Sequence, residues 1–212
     1  MRMNKKNNGL SALELQLTVD DARIPEFFLL LQQGIILRRE IGSSVQSFLH
    51  RQLQLSCKFI EDNIQTVFLD GKPVDDLDRA IVKDGCTLAL SSAMPGLVGA
   101  TMRRGGYYAS LRAQISHSPE DENTSGTSEG FVTLRLFNFI AELLGKTLLQ
   151  DGVFVKKKNL EEFLSRRAHS GWKDVEAGRD GKPVDWNTFP TAGSADDLVL
   201  LRLKISPPLE SG

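Results

Sequence analysis

Apolar and polar residues alternate along several short segments of this chain. Between positions 13 and 19 every second residue is leucine or valine, which is the period of a strand buried on one face. Shorter segments of alternating or continuous apolar character predict five further strands, at 35–39, 64–69, 87–90, 153–157 and 198–203.

In both halves of the chain the apolar spacing changes to that of a helix after the second predicted strand. The two stripes are formed by Val45, Phe48, Leu49 and Leu53, and by Leu160, Phe163 and Leu164. Apolar residues three and four positions apart lie on one helix face. We predict Ser43 or Ser44 as the N-cap of the first helix, and Asn159 with Glu162 at the start of the second.

The two halves also share sequence. The hexapeptide Asp-Gly-Lys-Pro-Val-Asp occurs at 70–75 and again at 180–185. Similar segments pair in the same order, 13–17 with 132–136, 33–36 with 151–154, and 48–49 with 163–164. An ordered series of matches indicates an internal duplication.

A polar stretch separates the two copies. Residues 117–130 contain no aliphatic or aromatic side chain, so we predict a solvated linker there. The first unit then covers 10–116, with a Gly-rich extension at 93–116, and the second covers 131–212. Each has the order strand, strand, helix, strand, strand, which is typical of a small α+β sheet.

Composition and charge narrow the function classes. The chain of 212 residues is 41% hydrophobic and 25% charged, with a net charge of -1. This balance argues against a mainly disordered chain and against wholesale binding of nucleic acid or an anionic membrane. The apolar run at 27–31 is too short to span a bilayer, so we expect no membrane or nucleic-acid partner.

Residues that could hold a metal or perform catalysis are sparse. The two cysteines, Cys57 and Cys86, are too few for a disulfide framework or a zinc site, and the three histidines have no metal-ligand spacing. We therefore predict a non-enzymatic, cytoplasmic protein without metal or cofactor. An enzyme that uses Cys86 as nucleophile is the catalytic alternative.

Several segments resemble the β-grasp fold of ubiquitin-like proteins. In the second unit, residues 132–137 with 141–146 resemble the family's opening strand and its turn. The turn at 180–184 and the tail at 205–212 resemble the family's third-strand turn and its C-terminal tail. In the first unit, residues 82–90 resemble the segment that leads into the family's final strand. The likeness is greatest to the sulfur carriers, namely the small subunit of molybdopterin synthase and its thiamine-pathway relative. The resemblance implies two tandem β-grasp units, each a mixed sheet with one helix packed across it.

In that family the chemistry is carried by the C-terminal tail. An adenylating enzyme activates the terminal glycine carboxylate, which corresponds here to Gly212, and glycine lets the tail adopt backbone angles that a side chain would obstruct. Pro207 and Pro208 resemble the family's Pro-Pro segment, whereas Ser211 replaces its penultimate glycine. The resemblance thus implies a carrier whose protein partner is an adenylating enzyme.

The Gly-rich extension contains a second sequence of this kind. Arg103, Arg104, Gly105 and Gly106 resemble the Arg-Gly-Gly tail of ubiquitin, but Tyr107 follows, so a free carboxylate there requires proteolysis. One interpretation is a flexible partner-binding segment whose two arginines meet acidic groups.

Two further hypotheses stay open. In one, the extension is a connector that packs apolar residues between the two units, specifically Leu97, Val98, Met102, Tyr107 and Tyr108. In the other, the whole chain is a passive protein-binding module or scaffold that binds its partner through its sheets or through the extension.

Overall fold

The fold is α+β, with ten strands and six α-helices in the described part of a computed structural model. The structure describes residues 13–112, 115–117, 126–166, 174–179, 182–183 and 197–206. The strands are β1 (Leu13–Val19), β2 (Ile35–Ile41), β3 (Thr66–Leu69), β4 (Lys72–Pro73), β5 (Thr87–Ser91), β6 (Ser128–Phe137), β7 (Val153–Lys156), β8 (Asp174–Arg179), β9 (Lys182–Pro183) and β10 (Leu198–Ile205). The helices are α1 (Phe28–Gln33), α2 (Val45–Arg51), α3 (Cys57–Asn63), α4 (Gly96–Met102), α5 (Asn138–Asp151) and α6 (Lys157–Ser165), with 3-10 helices at Asp21–Phe27 and Tyr107–Arg112.

The chain divides into two compact units. The middle unit consists of residues 25–148, and the terminal unit consists of residues 1–24 together with 149–212. This division differs from the predicted boundaries at 10–116 and 131–212, because β1 belongs to the terminal unit and β6 to the middle unit.

The sheet of the middle unit has the order β4-β3-β5-β6-β2. At its centre β6 runs parallel to β5 and antiparallel to β2, and β3 pairs antiparallel with both β5 and β4. The inward side chains of β5 and β6 are fully buried leucines and a valine, and Val45, Phe48 and Leu49 of α2 are buried too. These residues form the core of the unit. Leu53, the fourth residue of the predicted stripe, lies beyond the end of the helix and is half-buried.

The sheet of the terminal unit has the order β7-β10-β1-β8-β9. Its central strands β10 and β1 are parallel over seven residue pairs, while β7 and β8 lie antiparallel on either side. One face is buried through alternate residues of β1 and β10, and Leu160 and Phe163 of α6 are buried as well. The other face carries mainly polar and charged residues, with the half-buried Leu198 and Leu200 of β10 among them.

The predicted strands are present with ends shifted by a few residues, but the sheet that β1 joins is not the expected one. We expected residues 13–19 to open the sheet of the first unit, and instead they pair with β10 and β8. Alternation shows which face of a strand is buried, but not which neighbours the strand will have. Because β1 and β6 carry the same pattern, no local signal distinguishes their sheets.

Helix starts agree with the prediction in one half only. The hydroxyl of Ser44 accepts a hydrogen bond from the amide of Ser47 (3.2 Å), which confirms Ser44 as the cap of α2. In the second half α6 begins at Lys157 and has no side-chain cap, so the prediction of Asn159 was wrong. The hydrophobic stripe correctly predicted that a helix is present, but the first turn of α6 begins before the residue expected to cap it.

Helix α5 occupies residues where the resemblance implied a turn after the opening strand. It begins at Asn138, whose φ of 51° marks an abrupt change of direction after β6. A Cβ atom at Gly145 would lie 2.5 Å from the Leu31 side chain of α1, so glycine permits the close approach of these two helices.

The predicted polar linker at 117–130 overlaps a strand. Residues 128–130 form the first part of β6 and pair with the end of β2. A Cβ atom at Gly130 would lie 2.6 Å from Cδ1 of Ile41, so any other residue there would require the Ile41 side chain to move. Backbone pairing thus extends the strand beyond its apolar residues.

Among the helices of the described residues, none combines the length and the apolar character needed to cross a membrane.

Candidate protein-interaction site in the Gly-rich extension

The Gly-rich extension begins with α4, which starts after Pro95. Gly99 faces the chain that leads into the helix, and a Cβ atom there would lie 2.0 Å from the carbonyl oxygen of Met94. Only glycine allows this contact. The extension therefore turns tightly onto itself at its first element.

Arg112 holds the extension to the middle unit. Its side chain is 3% exposed, and the guanidinium forms a two-point contact with Asp75, with nitrogen–oxygen distances of 2.7 and 3.0 Å. It also donates to the carbonyls of Thr101 (2.6 Å) and Arg103 (3.3 Å) and to the hydroxyl of Ser116 (2.7 Å). Such a charge-assisted, two-point pair has a defined geometry, so one side chain ties the middle and the end of the extension to Asp75.

Arg112 and Asp75 are not among the site residues predicted from the sequence. Asp75 is the last residue of the first repeated hexapeptide, and that repetition is the signal that could have drawn attention to it. Arg112 carries no such signal, because it belongs to no repeated motif and to no cluster of charges. Its burial depends on Asp75, which lies far away in sequence.

The four residues predicted as a partner-binding segment are partly used within the unit. The amide of Arg104 donates to the Gln65 carbonyl (2.8 Å), and its guanidinium donates to the Ile64 carbonyl (3.3 Å). Burial lowers the pKa of Arg104 below its usual range, against the opposing charges of Glu61 and Asp75. Arg104 therefore anchors the extension.

The other three members of the predicted segment are more open. The side chain of Arg103 is exposed, as is Gly105, whose amide donates to Oδ1 of Asp75 (3.1 Å). The amide of Gly106 donates to the Arg103 carbonyl (3.2 Å), which closes a turn. Arg103 is thus the arginine of this segment that points a charge to solvent.

Large apolar side chains of the extension face solvent. Tyr107 is 91% exposed, Leu97 71% and Val98 66%; Tyr108 and Ile115 are exposed to a lesser degree. The rings of Tyr107 and Tyr108 meet edge to face with centroids 5.2 Å apart. Leu97, Val98 and Tyr107 are therefore not packed into the core of the middle unit. The connector hypothesis, which concerns packing between the two units, stays a prediction.

The cysteine alternative has an unfavourable environment. Cys86 is buried, and burial raises the pKa of its thiol from 9.0 to about 11. A nucleophilic cysteine needs the opposite shift. In the part of the chain that the structure describes, no group of histidine, cysteine and carboxylate side chains could hold a metal ion.

A depression of about 540 Å³ lies on the polar face of the terminal unit's sheet. Its lining includes Glu14, Gln16, Glu176, Lys182 and Arg202. The carboxylate of Glu176 accepts a hydrogen bond from Gln16 and lies 3.7 Å from the ammonium of Lys204. The depression is shallow and its acidic and basic groups are interspersed, so it does not concentrate charge of one sign.

The start of the predicted C-terminal tail is anchored. Ser206 follows β10; its amide donates to the Val19 carbonyl (2.9 Å), and its hydroxyl donates to Oδ1 of Asp20 (2.7 Å). The tail residues that the resemblance singled out, Pro207, Pro208, Ser211 and Gly212, lie outside the described residues.

No protein-family model matches this chain, and no curated protein or solved structure matches it either.

Proposed function

We propose that this chain is a non-catalytic protein-binding module built on two β-grasp-type sheets, with the exposed apolar residues of the Gly-rich extension as its binding surface. The observation that carries the proposal is the exposure of Leu97, Val98 and Tyr107 on a segment whose base is held by Arg112. Large apolar groups in contact with water favour association. A segment already held in place also loses less conformational entropy on binding.

The strand order of the middle unit supports the β-grasp part of the proposal. A central parallel pair, β5 and β6, is flanked by antiparallel neighbours, and the stripe of α2 is buried in the core. This agrees with a mixed sheet that one helix crosses. The family resemblance supplies the name of the fold, and the strand directions are compatible with it.

A photoreactive amino acid at position 107 tests the binding surface in cells that naturally make the protein. We expect one saturable cross-linked adduct, which disappears when Leu97 and Val98 are both replaced by serine. The matched control places the same photoreactive group at Phe139, a 48% exposed apolar position on α5. Equal adducts from both positions, or none from position 107, would refute the proposal.

Activation as a carrier is the second candidate function. The specific observation in its favour is the anchoring of Ser206 on Val19 and Asp20, which holds the base of the tail. A tail that leaves the sheet from a held position presents its last residues to an activating enzyme in a reproducible way. This hypothesis requires a free carboxylate on Gly212.

The two functions separate in one experiment. The intact chain is incubated with an adenylating enzyme of the sulfur-carrier class, ATP and a sulfur donor, and the mass of its C-terminal peptide is measured. A carrier gains the mass of sulfur in place of oxygen, whereas an unchanged mass contradicts activation. Removal of Ser211 and Gly212 abolishes carrier activity and leaves the cross-link at position 107 intact.

A further inference from the structure

Each unit combines strands from both copies of the repeat. In the middle unit β2, β3, β4 and β5 come from the first copy, and β6 comes from the second. In the terminal unit β7, β8, β9 and β10 come from the second copy, and β1 comes from the first. In both cases the foreign strand is the first strand of its own copy.

The two first strands are equivalent in pattern. Leu15 and Leu17 of β1 align with Leu134 and Leu136 of β6, and all four side chains are buried. The polar positions between them are also matched, since Gln16 aligns with Arg135. Each of the two strands would therefore bury its leucines and expose its polar residues in whichever of the two sheets it joined.

The strands that follow are equivalent as well. Gly34 precedes β2 with a φ of 118°, and Gly152 precedes β7 with a φ of 98°. The short strands β4 and β9 start at the same Lys-Pro of the repeated hexapeptide, and each pairs antiparallel with the strand before it. The two copies thus keep the same local geometry after the first strand.

We infer that the two copies have exchanged their first strands within one chain, so that β1 completes the terminal unit and β6 completes the middle unit. The connectors explain how this is possible. A tight turn would force the first strand to pair with the second, but here helices separate them. The 14 residues of α5 span about 21 Å at 1.5 Å per residue, and α1 with its preceding 3-10 helix has the same role in the first copy.

The exchange makes the N-terminal segment part of the fold of the C-terminal half. β1 forms seven pairs with β10 and six with β8, and it lies in the interior of that five-stranded sheet. It also provides the Val19 carbonyl that holds Ser206. Loss of β1 would therefore disrupt the terminal unit although the two segments are far apart in sequence.

Four cysteine pairs test the exchange in the full chain, after Cys57→Ser and Cys86→Ala remove the native thiols. Two pairs are adjacent in the exchanged arrangement, Gln16→Cys with Arg202→Cys and Arg135→Cys with Ala89→Cys. The other two, Gln16→Cys with Ala89→Cys and Arg135→Cys with Arg202→Cys, would be adjacent if each strand stayed in its own copy. Neighbouring positions on adjacent strands lie within the range that a disulfide bridges.

We expect the first two pairs to form intrachain disulfides about a hundred-fold faster than the other two, because only they are held together at high effective concentration. Non-reducing electrophoresis and peptide mass spectrometry follow the reaction in dilute protein. Faster bridging by the second two pairs, or similar rates for all four, would overturn the inference. Disulfide-linked dimers as the main product from Gln16→Cys with Arg202→Cys would also contradict it, since β1 would then come from another molecule.

Discussion

The middle and terminal units have the same pattern of parallel and antiparallel strands, but the first and last strands of a copy occupy opposite central positions in the two sheets. In the middle unit the first strand of a copy, β6, lies beside β2, and the last strand, β5, lies beside β3. In the terminal unit the last strand, β10, lies beside β7, and the first strand, β1, lies beside β8. Two parallel central strands with the same alternation can trade places, because each still finds an antiparallel neighbour for its hydrogen bonds.

The two units differ also in what is attached to them. The middle unit carries the Gly-rich extension, held by Arg112, while the terminal unit carries the anchored start of the C-terminal tail at Ser206. Two sheets with the same strand directions thus carry two different appendages. The strand directions are the same in both units, whereas the extension and the start of the tail are each held by a few polar side chains.

The largest effect is expected from Asp75→Ala, because it leaves the guanidinium of Arg112 buried without its carboxylate. We expect a loss of about 3 to 5 kcal/mol in unfolding free energy, measured by urea denaturation. The double variant Asp75→Ala with Arg112→Met should recover part of this loss, because no buried charge is left. Asp62→Ala serves as the exposed control, and a similar loss there would contradict the role of the ion pair.

Leu15→Ala and Leu134→Ala compare the two central strands directly. Both leucines are buried at equivalent positions, and each truncation should cost about 2 to 5 kcal/mol. Hydrogen exchange should show faster opening in 149–206 for Leu15→Ala, and in 25–148 for Leu134→Ala. The reverse assignment would show that the strands are not exchanged.

Alkaline pH should destabilise the middle unit through Cys86. Its pKa is raised from 9.0 to about 11 in the folded chain, so folding favours the neutral thiol. This stabilisation is complete below pH 9 and is lost as pH rises towards 11, which amounts to about 2 kcal/mol. Denaturation of the parent and of Cys86→Ala between pH 8 and 11 measures the difference, and parallel curves would contradict it.

Gly34→Ala and Gly152→Ala compare the starts of β2 and β7. Both glycines have positive φ, so alanine is strained at either place, by about 1 to 2 kcal/mol. Gly34→Ala should be the more damaging, because its Cβ atom would lie 3.0 Å from Cγ2 of the β-branched Thr133. At Gly152 the nearest atoms belong to the end of the flexible Arg202 side chain, at 3.2 Å. Thermal unfolding of the two variants ranks them, and the opposite order would refute this argument.

The smallest effect is expected at the helix starts. Ser44→Ala removes the hydroxyl that accepts from the Ser47 amide and should cost about 1 kcal/mol. Asn159→Ala should change the stability little, because α6 begins at Lys157 without a side-chain cap. Equal losses in the two variants, measured by urea denaturation, would mean that Asn159 caps α6 after all.

Local patterns predicted much of the secondary structure and little of the candidate site. The alternation at 13–19 and the stripe of Phe48 and Leu49 correctly predicted a strand and a helix. The prediction missed α3, although Ser56 accepts from the Phe59 amide as an N-cap, because the large apolar residues of this helix, Phe59 and Ile60, are adjacent in sequence and show no helical period. The partnership of Arg112 with Asp75 had no local signal at all.

Amino-acid order alone predicted the alternating strands and the helical stripe, because these depend on spacing within a few residues, and its ordered matches indicated a duplication. Tertiary structure decided which sheet receives β1 and β6, and which arginine of the extension is buried. Both outcomes depend on contacts between segments distant in the chain. The free energy of those contacts comes from shared burial and from paired charges, which a residue acquires only when its partner is in place.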